Sequence, residues 1–241
     1  MIKYAGAIAA VFIVAVGGTW LWNTLQVITI PQKNIISTKN GSKSKIELPD
    51  GTQVWLNVGS RIKYDDNYGR QSRELTLTGE AYFDVAHEAG KPFLLLTGKM
   101  DVKVLGTVFN VKAYPGDGVT EASLIRGSIE VTFPDRPQEK LILKPNDKIS
   151  IADKETKKAE DTIRHSYATT KERPAIMVSS IQYEPVDSAI IETSWVNNKL
   201  IFRSKTFEEL ARDIERWFNV TIEVKDSTIL SKTFTGSFSN E

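Results

Sequence analysis

An uncharged stretch at the start of the chain limits what this protein can be. Residues 4–32 carry no charged side chain. Their apolar centre, Ala5 to Trp22, is about 18 residues long, and a helix of that length crosses roughly 30 Å of hydrocarbon. Trp20 and Trp22 stand at its end, where aromatic side chains favour the membrane interface. We therefore predict a transmembrane helix over residues 4–25, followed by a juxtamembrane linker over residues 26–45.

A cleaved signal peptide is the alternative interpretation of the same stretch. Lys3 would then form the charged region, residues 5–16 the apolar region, and residues 15–17 a poor cleavage site of small residues. Cleavage there would leave two tryptophans exposed on a new N-terminus, which is unfavourable. We therefore favour a permanent anchor.

The orientation of the anchor is left open by its flanking charges. Lysines are more common after the helix than before it, which by the positive-inside rule would place the body in the cytoplasm if Met1 is the true start. The preceding flank, however, is only two or three residues long. Either the helix inserts against its local charge bias, or the upstream part of a longer protein carries the missing positive charges.

The composition indicates an ordinary folded body after the anchor. Hydrophobic residues make up 41% of the chain and charged residues 25%, with a formal net charge of +1. A protein that binds nucleic acid usually has a basic excess, so we expect no nucleic-acid partner. The absence of cysteine excludes disulfides, thiolate zinc sites and a cysteine nucleophile.

Residues 46–152 show the pattern of an all-β domain. Short strands alternate with turns such as Pro49-Asp50-Gly51. The clearest strand, Glu74 to Val85, alternates apolar and polar residues throughout, and Gly79 interrupts it at a predicted bulge or bend that lets one strand serve two parts of a sheet. We predict a sandwich or jelly-roll-like domain, or a short solenoid.

The rest of the chain predicts a linker and a small α+β domain. Residues 153–194 are a charged linker with a connecting strand. In residues 195–241, a strand at Lys199 to Arg203 precedes a helix whose N-cap is Thr206, with Glu209 completing a capping box. Alternation from Val220 to Val224 predicts a second strand. We interpret this region as a truncated β-α-β domain, so the chain as a whole is mainly β.

Neither the histidines nor the carboxylates indicate an active site. His87 follows the long strand and His165 lies in the charged linker, and neither has a second histidine at ligand spacing. Glu80 and Asp84 share a strand face but stand roughly 13 Å apart, further than the about 5 to 9.5 Å of glycosidase pairs. We interpret them as solvated charges on the outer face. The sequence predicts no catalytic, cofactor-binding or metal-binding residue, and no cofactor.

Four aromatic residues raise the question of a sugar-binding platform. Trp55, Tyr64, Tyr68 and Tyr82 all fall in the predicted strand region. Because they are distributed over both strand faces, we favour packing in the core or at an edge. The apolar stripe of the predicted helix is likewise interpreted as core.

Several runs of sequence resemble a known family. The runs LPDGTQVWLNVGSRIKY (48–64), RELTLTGEAYFDVAHEAGKPF (73–93) and VKVLGTVFNVKAY (102–114) occur in the same order in the periplasmic domain of FecR-like transmembrane anti-sigma regulators. The run WVNNKLIFRSKTFEELARDIERWFNVTIEVKD (195–226), with FTGSF (234–238), is similar to the C-terminal domain of the Bacteroidetes branch, which itself resembles the short N-terminal domain of secretins and TonB-dependent receptors.

The resemblance implies a signalling protein rather than an enzyme. In such proteins a cytoplasmic segment binds an extracytoplasmic-function (ECF) sigma factor and one helix crosses the inner membrane. The periplasmic body then senses the signalling domain of a TonB-dependent outer-membrane transporter. We therefore expect a single-pass inner-membrane protein with its C-terminal body in the periplasm. The expected cytoplasmic sigma-binding segment does not precede residue 4, so sigma binding would require a segment outside this sequence.

Two alternatives remain open at this stage. One is a membrane-anchored periplasmic β module that binds glycans or another ligand, and the other is an anchored hydrolase. A cleft that gathers His87, or Glu80 with a carboxylate from another strand, would indicate the hydrolase.

Overall fold

The chain divides into two units, residues 1–32 and residues 33–241. A computed structural model describes residues 13–20, 33–152, 175–185 and 187–239. In the first unit residues 13–20 are helical, and the remainder of the predicted transmembrane helix, 4–25, lies outside the described residues. No helix within these described ranges is long and apolar enough to span a bilayer. The anchor therefore stays a prediction.

The second unit is mainly β, as predicted. Its strands are β1 (Lys33–Ser37), β2 (Ser44–Glu47), β3 (Gln53–Leu56), β4 (Arg61–Asp65), β5 (Arg73–Asp84), β6 (Phe93–Leu96), β7 (Asp101–Val104), β8 (Val108–Ala113), β9 (Val119–Arg126), β10 (Ile129–Phe133), β11 (Arg136–Leu143), β12 (Asp147–Ala152), β13 (Ile176–Ser180), β14 (Lys199–Thr206) and β15 (Thr233–Ser239). One α-helix, α1, spans Phe207–Phe218, and 3₁₀ helices span Ile191–Asn197 and Ser227–Ile229. Strand β1 lies inside the region predicted as a juxtamembrane linker.

Strands β1 to β13 form one curled sheet with β5 at its centre. The first half of β5 pairs with β4 on one side and with β6 on the other. From β6 the sheet continues through β7 and β10 to β11, and we call this half of the sheet wing A. The second half of β5 pairs with β3 on one side and with β8 on the other. From β8 the sheet continues through β9 and β12 to β13, and we call this half of the sheet wing B. Strands β5 and β6 are parallel, and the other wing pairs are antiparallel.

Gly79 marks the point where β5 passes from wing A to wing B. Pairing with β4 ends at Thr78, and pairing with β8 begins at Gly79. Its φ of +106° is rarely accessible to residues with a side chain, and a Cβ placed there would lie 2.7 Å from the Cα of Ser60. The strand can therefore change wings here only because position 79 has no side chain.

The two wings enclose a single hydrophobic core. Alternate residues of β5, such as Leu75, Leu77 and Phe83, point into it and are almost fully buried. Phe83 of wing B contacts Phe93 of wing A at 5.7 Å between ring centroids and stacks on Phe109 at 5.0 Å. Because side chains of both wings belong to one buried cluster, the curled sheet closes on itself as a sandwich-like body.

A buried arginine fixes the start of β5. The guanidinium of Arg73 pairs with Asp50 of the predicted turn at 3.3 Å, and it donates to the carbonyls of Ala86 and Lys91 at 2.7 and 2.8 Å. The side chain is fully buried, so these acceptors replace the water it loses. The turn, the strand and the loop after β5 are thereby held together.

The C-terminal region, residues 195–239, which we call the C-terminal module, confirms part of its prediction. Helix α1 begins with the predicted capping box between Thr206 and Glu209, and β14 and β15 pair as an antiparallel ribbon. The predicted strand from Val220 to Val224 is wrong. The amides of Val220 and Ile222 donate to the carbonyl and the carboxylate of Glu215, so they do not join a ladder.

Replacing Gly79 by alanine should destabilise the second unit. The methyl group would meet the backbone of Ser60 at an unfavourable φ, and we expect a loss of about 3 kcal/mol in the free energy of unfolding. Denaturant unfolding followed by circular dichroism measures this change. Gly118→Ala is the control, because it also has a positive φ, +75°, but nothing lies within 4 Å of its added Cβ. Equal losses in the two variants would contradict the proposed close contact.

Candidate functional site

The outer face of wing B is covered where the alternating pattern predicts exposure to solvent. Glu80 on β5 and Lys112 on β8 are cross-strand neighbours on this face, as are Tyr82 and Asn110. Glu80 is only 8% exposed because the C-terminal module lies against it. The interpretation of Glu80 as a solvated charge is therefore wrong. Asp84, further along the same face, keeps a 46% exposed side chain.

Two amide side chains hold the Glu80 carboxylate. Asn57 and Asn110 donate to its two oxygens at 2.8 and 2.9 Å. The amide oxygen of Asn57 accepts from the backbone of Val58, and that of Asn110 accepts from the indole of Trp195. These acceptor contacts fix both amides with their nitrogens toward Glu80. The tryptophan of the C-terminal module thus closes a hydrogen-bonded chain that begins on the sheet.

Burial raises the pKa of Glu80, and the charge of Lys112 with the two amide hydrogen bonds acts in the opposite direction. The carboxylate is therefore sensitive to whether the C-terminal module covers it, because removal of the cover returns water to the group.

A network of ion pairs joins the sheet to helix α1. Lys112 pairs with Asp213 at 2.9 Å and with Asp117 at 3.5 Å. Asp117, in the turn before β9, receives two hydrogen bonds from Arg216 at 2.7 and 3.0 Å. Arg216 also reaches Asp213 at 2.8 Å, and Lys205 reaches the other oxygen of Asp213 at 2.5 Å. We call these five residues the ion-pair network.

The charges of the network stabilise one another against desolvation. Burial alone would lower the pKa of Lys112, but Asp213, Glu80 and Asp117 outweigh it and raise the pKa. Burial alone would raise the pKa of Asp213, but Lys112 and Lys205 lower it. Both groups are therefore ionised at neutral pH, and removal of either one leaves the buried charge of the other less well compensated.

An aromatic cluster lies beside the network. Trp195, Leu200 and Trp217 of the C-terminal module are buried together and pack against Trp55 and Tyr82 of wing B. The indole of Trp55 meets the ring of Tyr82 edge-on, at 5.3 Å between centroids. The contact thus has an apolar, largely aromatic part beside the charged network.

The loop between β1 and β2, residues 38–43, also contacts the C-terminal module. The ammonium of Lys43 lies 3.5 Å from the ring centroid of Trp217, a cation–π contact. It donates to the carbonyl of Trp195 at 2.9 Å and to the side-chain oxygen of Asn198 at 3.1 Å. One lysine thus links the N-terminal loop to three residues of the module.

A cavity of about 340 Å³ lies between wing B and the C-terminal module. Acidic and basic side chains line much of it, among them Lys148 of β12, which pairs with Glu192 of the 3₁₀ helix at 3.0 Å. A polar and incompletely filled contact is typical of domain interfaces that separate, rather than of a continuous core.

Glu80 lines the cavity together with Glu121 of β9, but both of its oxygens are held by amide side chains, and the other candidate residues lie elsewhere. His87 is exposed in the loop after β5, and His165 lies outside the described residues. Tyr64 and Tyr68 pack together in wing A, apart from Trp55 and Tyr82, so the four aromatic residues form two pairs and not one platform. Among the described residues, no group of three His, Cys, Asp or Glu side chains is arranged to hold a metal.

Sequence reasoning missed most of the contact. Asp213 and Arg216 lie outside the apolar stripe of α1, so the stripe alone did not indicate that they are buried in a contact. Sequence reasoning also assigned no contact to Lys43 or Lys112. The one available signal was Trp195, an isolated large aromatic residue just before a strand, but nothing in the sequence identified its partner.

Two family profiles match this chain. The family described as FecR protein matches residues 34–130, and FecR, C-terminal matches residues 199–241. Lys112 and Asp117 lie in the first matched region, whereas Asp213 and Arg216 lie in the second. The ion-pair network therefore joins the two family regions. No curated protein matches the chain.

Two crystal structures are similar to this chain. Both are described as a candidate anti-sigma factor from Parabacteroides distasonis ATCC 8503, at 1.65 and 2.50 Å resolution. Their TM-scores are 0.69 and 0.70, each at 28% sequence identity. The alignments cover 86% and 87% of this chain and 85% and 86% of theirs. The likeness thus extends well beyond either family region alone.

Asp213→Asn should loosen the C-terminal module. The substitution preserves shape but leaves buried Lys112 without its nearest anion, so we expect docking to weaken by about 3 kcal/mol. Hydrogen exchange should become faster in α1 and stay unchanged in β5. Glu208→Gln is the matched control on the same helix, because its pair with Arg212 is exposed and contributes little. Unchanged exchange in Asp213→Asn would show that the network does not hold the module.

The contact should strengthen as the pH rises above about 8. Burial lowers the pKa of Lys43 to about 8, with the charge of Glu80 opposing the shift, whereas a solvated lysine titrates near about 10.4. Between these values the undocked state binds more protons, so raising the pH favours the docked state. Tryptophan fluorescence during urea unfolding, recorded from pH 7 to 10, measures this change.

Lys43→Met should remove this pH dependence, whereas Lys39→Met should keep it. Lys39 is the matched control because it lies exposed in the same loop. A parent midpoint that stays constant or falls between about pH 8 and 10 would contradict the expected behaviour of Lys43.

Proposed function

This chain belongs to the FecR protein family of sigma regulators, and on that premise we propose that its folded body relays an external signal across the inner membrane to a sigma factor. The family is regulatory and not enzymatic, and an anti-sigma factor implies a sigma factor as partner. We further propose that the sigma factor is of the ECF class. The signal would come from the signalling domain of a TonB-dependent outer-membrane transporter.

One observation carries this proposal. Regions matching the FecR protein and FecR C-terminal families fold into one unit, yet the ion-pair network and the cavity make their contact polar. A relay requires two states with different affinity for a partner, and a polar contact between two folded parts can supply both states at modest cost. No reacting group is needed for such a relay.

The membrane part of the proposal rests on the first unit. Residues 4–32 lack charge, and Ile13, Val14 and Val16 are between 59% and 74% exposed on the helical stretch 13–20. Large apolar side chains that face outward from a helix are favourable in lipid and unfavourable in water. This exposure supports a single-pass anchor, and the proposed placement of the body in the periplasm rests on the family resemblance.

The proposal is tested with the protein carrying the cytoplasmic segment that sigma binding requires, expressed in a bacterial inner membrane. Protease added outside spheroplasts should digest the body, while a cytoplasmic marker protein stays intact. The purified chain should bind the isolated signalling domain of a TonB-dependent transporter from the same bacterium, and transcription dependent on an ECF sigma factor should change when that domain is supplied.

A transporter that lacks its signalling domain is the control, and it should leave transcription unchanged. The relay proposal fails if the body is protected from external protease. It also fails if transcription responds equally to both forms of the transporter.

A further inference from the structure

The loop of residues 38–43 connects the C-terminal module to the N-terminal side of the second unit. The amide of Gly41 donates to the carbonyl of Arg216 at 2.8 Å, in the last turn of α1. That carbonyl belongs to the group of helix-end acceptors that have no partner within the helix. Together with the contacts of Lys43, this bond makes the loop a cap on the end of α1.

The same loop is bound to the turn between β3 and β4. The amide and the hydroxyl of Thr38 contact the carbonyls of Ser60 and Asn57, and Gly59 donates to the carbonyl of Lys39. Strand β1 ends at Ser37 and begins at Lys33, directly after the first unit. The chain that leaves residue 32 therefore passes through β1 into a loop whose conformation depends on α1.

We propose that the C-terminal module is released from wing B as one body when its partner binds, and that its release frees the 38–43 loop, which carries the change to β1 and the chain before it. This inference rests on the proposed function and names its internal route. The docked state is the resting state, held by the ion-pair network and the aromatic cluster. The released state lacks the cap on α1.

Several features of the contact favour release of the module as one body. The capping box, the pairing of β14 with β15 and the ring contact of Phe207 with Phe234 at 5.6 Å all lie within the module, so they survive separation. Separation breaks the ion pairs, whose groups water can solvate once they are exposed, and it also uncovers the aromatic cluster formed with Trp55 and Tyr82. An apolar interface of similar extent would oppose separation more strongly.

A single disulfide can lock the docked state. A Cβ added at Gly41 would lie 3.4 Å from the Cβ of Asn219, the C-cap of α1. Disulfides join Cβ atoms about 3.5 to 4.5 Å apart, so the two positions are close to the required geometry. The chain has no cysteine of its own, so the double variant Gly41→Cys/Asn219→Cys can form only this bond within the chain.

The first measurement is the signal response of the full-length double variant. In the oxidised form, sigma-dependent transcription should lose its response to the transporter signalling domain by about tenfold or more, the factor that about 1.4 kcal/mol produces. Reduction should restore it. The single variants are the controls, because each carries the backbone strain of a cysteine at a positive φ but cannot cross-link. An oxidised, cross-linked chain that responds like the reduced one overturns the proposal.

The second measurement is the rate of cross-linking, which reports how often the module is docked. Adding Asp213→Asn to the double variant should slow disulfide formation by roughly tenfold, because the network is broken. Adding Glu208→Gln should leave the rate unchanged. Equal rates in the two would show that the network does not maintain the docked state, and would overturn the proposal.

The two measurements separate this inference from the proposed function. If the reduced chain and the parent both fail to respond to the signalling domain, the proposed function is wrong. The ratio of cross-linking rates still decides in that case whether the ion-pair network holds the module, because it requires no partner.

Discussion

The fold depends on the close approach of Gly79 to Ser60. Strand β5 must leave wing A and enter wing B within one residue, and the backbone of Ser60 occupies the space that a side chain would need. Since β5 is the only strand paired in both wings of the described sheet, this position sets the angle at which the wings enclose the core. It also turns Glu80, the next residue, toward the face on which the C-terminal module lies.

The contact with that module combines a network of charges with a cluster of aromatic side chains. A buried ion pair has a high desolvation cost, and its contribution to stability is often close to zero compared with a hydrophobic pair of the same size. Its directional hydrogen bonds, however, define one docked position. Arg216 donates two parallel hydrogen bonds to the Asp117 carboxylate, a geometry that a displaced helix would not satisfy. The ion-pair network therefore defines one docked position for the C-terminal module and still allows the module to separate from wing B.

Local sequence patterns predict local structure correctly in this protein. They do not predict contacts between residues that are far apart in the sequence. The alternation in β5, the bend at Gly79 and the capping box of α1 were all foreseen, because each depends on residues within a few positions of one another. The burial of Glu80 was not foreseen, because it depends on Trp195, more than a hundred positions later.

The prediction of a strand from Val220 to Val224 was wrong for a related reason. The alternating pattern indicates which side chains suit a sheet. It does not indicate that the amides of Val220 and Ile222 donate to Glu215 instead of to a neighbouring strand. Lys112 and Asp213 are likewise separated by 101 positions, and nothing in either local sequence marks the other as its partner.

The charged character of wing B also has a consequence during synthesis. Residues 33–152 emerge first and contain the strand pairs that form the main core, so they can fold before α1 is complete. Until then the outer face of wing B presents Glu80, Lys112 and Asp117 to water. An apolar docking surface exposed at that stage would promote aggregation, whereas ionised groups keep a half-completed chain soluble.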